Sequence, residues 1–197
     1  HLFDAQRLAK MKAGSLFINT ARGRVVDTTA LKDSLAAGRL TAYLDVWENE
    51  PEIDGELLQQ VGIGTPHIAG YSYDGKINGT RQIYEALCEF LNRQPQWHPD
   101  GSTLPQLAQP RITITEQTTF ENQLRQVVRA AYDMAADSAK LKASITYSKH
   151  DRSRHFDELR KNYPVRREFS SYKIVANNLD EKMISALHAI GFEIEVE

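Results

Sequence analysis

Short apolar runs alternate with longer amphipathic stretches over the first part of the chain. The runs have the length and composition of buried strands, and the stretches between them have helical spacing. They predict strands at 15–19, 42–46 and 61–64, and helices at 27–37 and 55–60. Gly38 fits the end of the first of these helices. Because strands and helices alternate, the strands are expected to pair in parallel, which predicts a doubly wound α/β sheet.

A longer amphipathic helix is predicted from Asp74 to about Asn92. Its apolar positions, which we expect to face a core, are Ile77, Ile83, Leu87 and Phe90. Prolines 95, 99, 105 and 110 then interrupt a polar stretch, which is typical of a linker. The pattern therefore predicts one domain over 1–93 and a linker over 94–110.

The pattern after residue 110 is different and predicts a compact α+β module over 111–197. Its predicted elements are strands at 111–115, 170–176 and 192–196, and helices at 119–140, 153–162 and 179–190. The helix at 119–140 carries a broad apolar stripe. Since this stripe is wide enough for its own sheet and for a partner, we predict that 111–197 forms a homodimer.

Composition narrows the classes of function. The net charge of -2 gives no reason to expect a nucleic-acid partner. Cys88 is the single cysteine, and with no signal peptide it favours a reducing cytoplasm. No apolar run approaches the ~18 residues that span a membrane. Four histidines lack the spacing of metal ligands, so no metal is expected; they are His98, His150, His155 and His188.

Polar side chains follow each of the three strands predicted in the first domain. Arg22 follows the first strand, Asp45 and Glu50 follow the second, and His67 follows the third. In an open α/β sheet, ligands bind at the carboxyl ends of the strands. A guanidinium can grip a carboxylate, an imidazole can exchange a proton with a hydroxyl, and a carboxylate can orient that imidazole. Together these groups suit hydride removal from a 2-hydroxy acid.

Each of these residues also has an ordinary structural explanation. Isolated loop arginines are common, an acidic loop can simply be solvated, and a lone histidine is usually structural. Cys88 falls on a predicted helix and is expected to be a packed, inert thiol. A basic run near the end of the chain also has two explanations, a solvated face or a site for a substrate phosphate. Its members are Arg160, Lys161, Arg166 and Arg167.

Three sequence blocks, NTARGRVVD, LDVWENEP and TPHIAGYSYDGK, resemble in order the signature blocks of D-2-hydroxyacid dehydrogenases. The resemblance implies NAD as cofactor and makes 1–93 the C-terminal part of a Rossmann-type NAD-binding domain with its closing helix. It implies catalytic roles for Arg22, Glu50 and His67. It also implies that Asp45 contacts the nicotinamide carboxamide, that Gly70 lies by the cofactor and that Tyr71 contacts substrate.

HIAGYSYDGK and DELRKNYPVRREF resemble one branch of that family in particular. Its substrate is a small phosphorylated 2-hydroxy acid, and its C-terminal module serves dimerisation. The glycine-rich turn of the family, G-x-G-x-x-G, is expected before residue 1, so the chain is expected to be a C-terminal half that is inactive alone. Two alternatives stay open. One is another D-2-hydroxyacid dehydrogenase, such as one acting on 3-phosphoglycerate, and the other is a non-catalytic dimerisation fragment.

Overall fold

The structure is a computed structural model that describes residues 1–99, 104–114, 118–176 and 179–195. The chain divides into two compact units, and each unit combines two stretches of sequence. The first unit comprises His1–Ala69 with Met134–Tyr163, and the second comprises Gly70–Asp133 with Pro164–Glu197.

The first unit is built on a parallel three-stranded sheet in the order β1-β2-β3. Its elements are α1 Ala5–Ala9, β1 Ser15–Asn19, α2 Thr28–Ala36, β2 Leu40–Leu44, α3 Gly55–Gln60 and β3 Ile63–Gly64. Asp27 and Asp54 cap α2 and α3 by accepting backbone hydrogen bonds. The predicted α/β class is confirmed, and β1 and α3 occupy the residues predicted for them.

The bounds of two strands were predicted wrongly. The third was placed at 61–64, whereas β3 is Ile63–Gly64. The prediction placed the second strand at 42–46, whereas β2 ends at Leu44. The apolar run continues past the strand because Val46 and Trp47 are buried in the loop that follows, not because they pair with a neighbour. Asp45 leaves the sheet at the same point, and its side chain turns toward the segment after β3.

Two further helices complete the first unit, α6 Met134–Lys142 and α7 Lys149–Lys161. Ser138 of α6 accepts a hydrogen bond from the backbone of Gly64, and Leu141 and Phe156 are fully buried in the core. The continuous helix predicted at 119–140 is therefore wrong. Tyr132 adopts an extended conformation and ends the preceding helix, which separates it from α6.

The second unit contains another parallel sheet, in the order β4-β5-β6. Its elements are α4 Tyr73–Phe90, β4 Arg111–Thr113, α5 Phe120–Ala131, β5 Lys173–Val175, α8 Glu181–Ala189 and β6 Glu193–Glu195. The prediction of strands and helices here is confirmed in order, with shorter strands. In the module predicted as α+β, both strand pairs are parallel, and α8 connects β5 to β6. The far ends of the strands predicted at 111–115, 170–176 and 192–196 adjoin or enter residues outside the described ranges.

The apolar face of α4 was predicted to lie in a core, and most of it does not. Ile83, Leu87 and Phe90 are 74%, 53% and 85% exposed. Cys88, by contrast, is buried, as expected for a packed thiol. Helical spacing identified an apolar stripe correctly, but spacing alone does not say whether the same chain supplies its partner.

The two compact units do not follow the division predicted at residues 93 and 111. α4 groups with the second unit, and α6 and α7 group with the first because their apolar residues join its core. Over the ranges that the structure describes, no helix combines the length and apolarity that crossing a membrane requires.

Candidate active site

Glu50 and His67 form a direct pair in the first unit. Nδ1 of His67 lies 2.7 Å from Oε2 of Glu50, and the two side chains are 29% and 19% exposed. The other carboxylate oxygen, Oε1, accepts a hydrogen bond from the backbone N–H of Trp47 at 2.7 Å. With Glu50 ionised, Nδ1 carries the proton of the shared hydrogen bond, which leaves Nε2 free to accept a proton from a ligand.

The backbone at this pair is held in an uncommon conformation. Asn49 and His67 have φ angles of 62° and 56°, in the left-handed region that residues other than glycine rarely adopt. Such residues persist where the surroundings determine their conformation. The N–H of His67 donates to the carbonyl oxygen of Asp45 at 2.7 Å, which is one of the contacts that hold it.

Asp45 fixes the segment that carries His67. Its Oδ1 accepts hydrogen bonds from the hydroxyl of Thr65 (2.6 Å) and the N–H of Ile68 (2.8 Å), and its Oδ2 accepts from the N–H of Ala69 (2.9 Å). The side chain is buried. Because a carboxylate has about four lone-pair positions, these contacts leave Oδ2 able to accept one more hydrogen bond.

Arg22 stands on a turn that lies against the loop after β2. A Cβ on Gly23 would clash with the backbone carbonyl of Trp47, so this approach requires glycine. Buried Asn19 stabilises the turn by donating to the carbonyl of Arg22 and accepting from the N–H of Ala21. The guanidinium of Arg22 is exposed and donates to the carbonyl of Ala21 at 2.6 Å. The structure thus brings this turn beside the Glu50 loop, while the guanidinium contacts its own turn.

Two family models match the chain. The model described as the NAD-binding domain of D-isomer-specific 2-hydroxyacid dehydrogenases matches residues 1–69. A domain of unknown function (DUF3410) matches residues 103–191. The chain is therefore similar to proteins of the D-isomer-specific 2-hydroxyacid dehydrogenase family.

Curated relatives in this family align along nearly the whole chain. An erythronate-4-phosphate dehydrogenase from Proteus mirabilis is 44% identical over 98% of this chain and 49% of its own length. The corresponding protein from Marinobacter nauticus is 39% identical over 99% of this chain and 51% of its own length. The chain therefore spans about half the length of the curated relatives it matches, and it aligns with their C-terminal half.

A solved D-mandelate dehydrogenase from Rhodotorula graminis is 36% identical over 51% of this chain and 30% of its own, with a TM-score of 0.42. The similarity to the dehydrogenase family rests on the family model and the curated relatives. The matched family binds NAD, which agrees with the cofactor predicted from the sequence.

Gly70 and Tyr71, which the dehydrogenase resemblance assigns to cofactor and substrate, open the second unit. Gly70 is exposed, and a Cβ there would meet open space. Neither steric contact nor a left-handed φ thus explains a glycine at this position. The ring of Tyr71 lies 4.4 Å from the ammonium of Lys76, which places a cation beside the predicted substrate residue.

The basic run near the end of the chain is not one solvated face. Arg167 is 11% exposed and donates two hydrogen bonds, of 2.8 and 3.0 Å, to the carboxylate of Asp74. Arg166 lies over the ring of Tyr132 at 4.4 Å. Since Asp74 and the carbonyl of Pro105 already take hydrogen bonds from Arg167, this guanidinium serves the fold.

The charges of the Asp74–Arg167 pair stabilise each other. Burial works against ionisation of Asp74, but the hydrogen bonds and charge of Arg167, with the N–H of Glu168, outweigh it and lower the pKa of Asp74 below 3.8. The hydrogen bond to Asp74 raises the pKa of Arg167 above its ordinary value, against a smaller effect of burial.

Sequence reasoning missed three residues that hold the site together: Asn19, Trp47 and Thr65. Asn19 and Thr65 are buried polar residues that follow or end strands, and their hydrogen bonds run to neighbouring segments. A polar residue at the end of an apolar strand was therefore a usable signal for both. Nothing in the spacing of the sequence distinguished Trp47 from any other core residue.

Proposed function

We propose that this chain supplies the acid–base half of an erythronate-4-phosphate dehydrogenase. The reaction is the NAD-dependent oxidation of 4-phospho-D-erythronate to 2-oxo-3-hydroxy-4-phosphobutanoate, a step toward pyridoxal 5'-phosphate. The observation that carries the proposal is the Glu50–His67 pair at 2.7 Å. Similarity to relatives that bear this enzyme name, extending over both units, favours this substrate within the family.

His67 is the proposed general base. Nε2 of His67 takes the proton of the substrate C2 hydroxyl, while Nδ1 stays bonded to Glu50. Glu50 holds the ring in this orientation and stabilises the imidazolium that forms. Arg22 leaves its contact with Ala21 and grips the substrate carboxylate through two parallel hydrogen bonds.

Residues of this chain fit the nicotinamide end of NAD, which when bound accepts the hydride from C2. The remaining lone pair of Asp45 Oδ2 can accept a hydrogen bond from the carboxamide. Gly70 is proposed to lie by the cofactor from the resemblance alone. Tyr71 is assigned to substrate by the resemblance alone. The pyrophosphate is not assigned to residues of this chain, whose sequence holds no G-x-G-x-x-G turn.

The experiment is a fusion of the amino-terminal half of the Proteus mirabilis relative to residues 1–197. We expect the folded fusion to reduce NAD with 4-phosphoerythronate and the chain alone to be inactive. Parallel assays with 3-phosphoglycerate test the nearest alternative. A folded, NAD-binding fusion that oxidises 3-phosphoglycerate in preference to 4-phosphoerythronate contradicts the proposed substrate.

We also propose that the protein is cytoplasmic and forms a homodimer. The dimer is proposed because the branch of the family that the sequence resembles has a C-terminal dimerisation module. The stripe of α5 that first suggested it packs largely within its own unit. The stripe of α4, by contrast, is exposed and includes Leu87 and Phe90. Sedimentation of the chain as a monomer at micromolar concentration contradicts dimerisation. A dimer that dissociates in Leu87→Lys supports the α4 stripe as its interface.

A further inference from the structure

Trp47 touches all three segments that carry the proposed catalytic residues. Its backbone N–H donates to Oε1 of Glu50 at 2.7 Å. Its indole Nε1–H donates to the carbonyl oxygen of Thr65 at 2.9 Å, in the segment that leads to His67. Its carbonyl group lies against Gly23, beside the turn of Arg22.

The indole is wedged in place by close packing. Trp47 is 4% exposed, and a Cβ at Gly64 would lie 2.9 Å from its Cζ2 atom and 3.0 Å from Leu58. The ring therefore has little room to rotate. The indole hydrogen bond also satisfies a carbonyl in a buried environment, where an unsatisfied acceptor is costly.

We infer that Trp47 is a positioning residue for His67. Its indole N–H fixes the Thr65 carbonyl, and with it the backbone that holds His67 at a φ of 56°. Its own backbone N–H fixes the carboxylate that orients the imidazole. One residue thus holds both partners of the Glu50–His67 hydrogen bond, with its indole on the segment of His67 and its backbone N–H on Glu50. The catalytic meaning of this inference rests on the proposed function, but the geometric coupling does not.

The test replaces Trp47 by Phe in the 197-residue chain, which keeps an aromatic ring and removes the N–H donor. Histidine is labelled with ¹⁵N, and two-bond ¹H–¹⁵N spectra near neutral pH show which ring nitrogen of His67 carries the proton. We expect a single Nδ1–H form in the parent chain and a mixture of both tautomers in Trp47→Phe. Trp97→Phe is the matched control, because Trp97 packs edge-on against Tyr84 in the second unit.

A folded Trp47→Phe variant with the parent tautomer pattern overturns the inference, as does an equal change in Trp97→Phe. If Trp47→Phe does not fold, benzothienylalanine at position 47 keeps the bicyclic shape without the donor and is judged by the same spectra. In the active fusion, Trp47→Phe is expected to lower kcat about 10-fold, equivalent to about 1.4 kcal/mol, with little change in KM. A tautomer change in a fusion that proves inactive with every hydroxy acid would support the coupling and reject the proposed function.

Discussion

Two polar pairs in this molecule, Glu50–His67 and Asp74–Arg167, are bonded at similar distances but enclosed to different degrees. In the first pair, the His67 side chain is 29% exposed, and only its Nδ1 is bonded to Glu50, which leaves Nε2 on the other side of the ring. The second is 11% and 13% exposed, and Asp74 meets Arg167 through both carboxylate oxygens. Each pair lies in a different compact unit, so the burial and bonding of one pair can be compared with those of the other.

The difference lies in the groups as much as in their burial. Arginine stays charged at every pH that proteins experience, so its pair with Asp74 can bind but cannot exchange protons. Histidine changes charge near neutral pH, and its second nitrogen remains available when the first is bonded. A histidine that is bonded to a carboxylate and partly exposed to solvent is thus a candidate for catalysis. A mostly buried carboxylate–guanidinium pair instead stabilises the fold.

The largest expected effect is on catalysis by the active fusion. His67→Asn removes the base but preserves hydrogen-bonding size, so kcat/KM should fall by roughly 10²–10⁴-fold. His150→Asn, on the exposed start of α7, is the control and should leave the rate unchanged. Steady-state kinetics measure kcat/KM for the parent fusion and both variants. A folded His67→Asn fusion with the parental kcat/KM would show that His67 is not the catalytic base.

The next largest effect is expected on the free energy of unfolding, when the buried Asp74–Arg167 pair is broken. Asp74→Ala leaves the guanidinium of Arg167 mostly buried without its carboxylate, which should cost about 3 kcal/mol of unfolding free energy. Asp133→Ala breaks an ion pair with Arg129 that is much more exposed and should cost less than about 1 kcal/mol. Urea unfolding followed by circular dichroism measures both. Equal losses would mean that enclosure does not set the strength of the Asp74–Arg167 pair.

A smaller effect is expected at Asp45, which supports the Glu50–His67 pair. Asp45→Asn retains one oxygen but cannot accept from both Ile68 and Ala69, so the unfolding free energy should fall by about 1–3 kcal/mol. Amide hydrogen exchange at these two residues should accelerate. Asp33→Asn, on the exposed side of α2, is the control. Unchanged protection of both amides in Asp45→Asn would show that Asp45 does not hold this segment.

The smallest expected effect is on how the stability of the Asp74–Arg167 pair depends on pH. The pKa of Asp74 is lower in the folded protein than its ordinary 3.8, so the unfolded chain binds its proton first as pH falls. The stability that Asp74 contributes is therefore complete above that value and is lost as pH falls through the folded pKa. Acid unfolding should show a steeper loss below pH 3.8 in the parent than in Asp74→Asn. Parallel acid profiles would contradict the assigned role of Arg167.

The sequence predicted those features of the site that depend on residues close together in the chain. Periodicity located β1 and α3, and polar residues after strands located Asp45, Glu50 and His67. It could not predict that Trp47 joins three segments, because that contact depends on tertiary packing. The same limit explains the exposed stripe of α4 and the grouping of α6 with the first sheet. Amphipathic spacing defines a face of a helix, but only the folded chain determines what covers it.

The most direct test of the central claim, that Glu50 and His67 serve hydride transfer from a 2-hydroxy acid, follows the hydrogen itself. The active fusion is given 4-phosphoerythronate carrying deuterium at C2, and the reduced cofactor is analysed by mass spectrometry. The account predicts that NADH gains one deuterium atom per turnover, transferred as deuteride from C2, and that His67→Asn slows this transfer while His150→Asn does not. Unlabelled NADH, or transfer at the parental rate in folded His67→Asn, would contradict it.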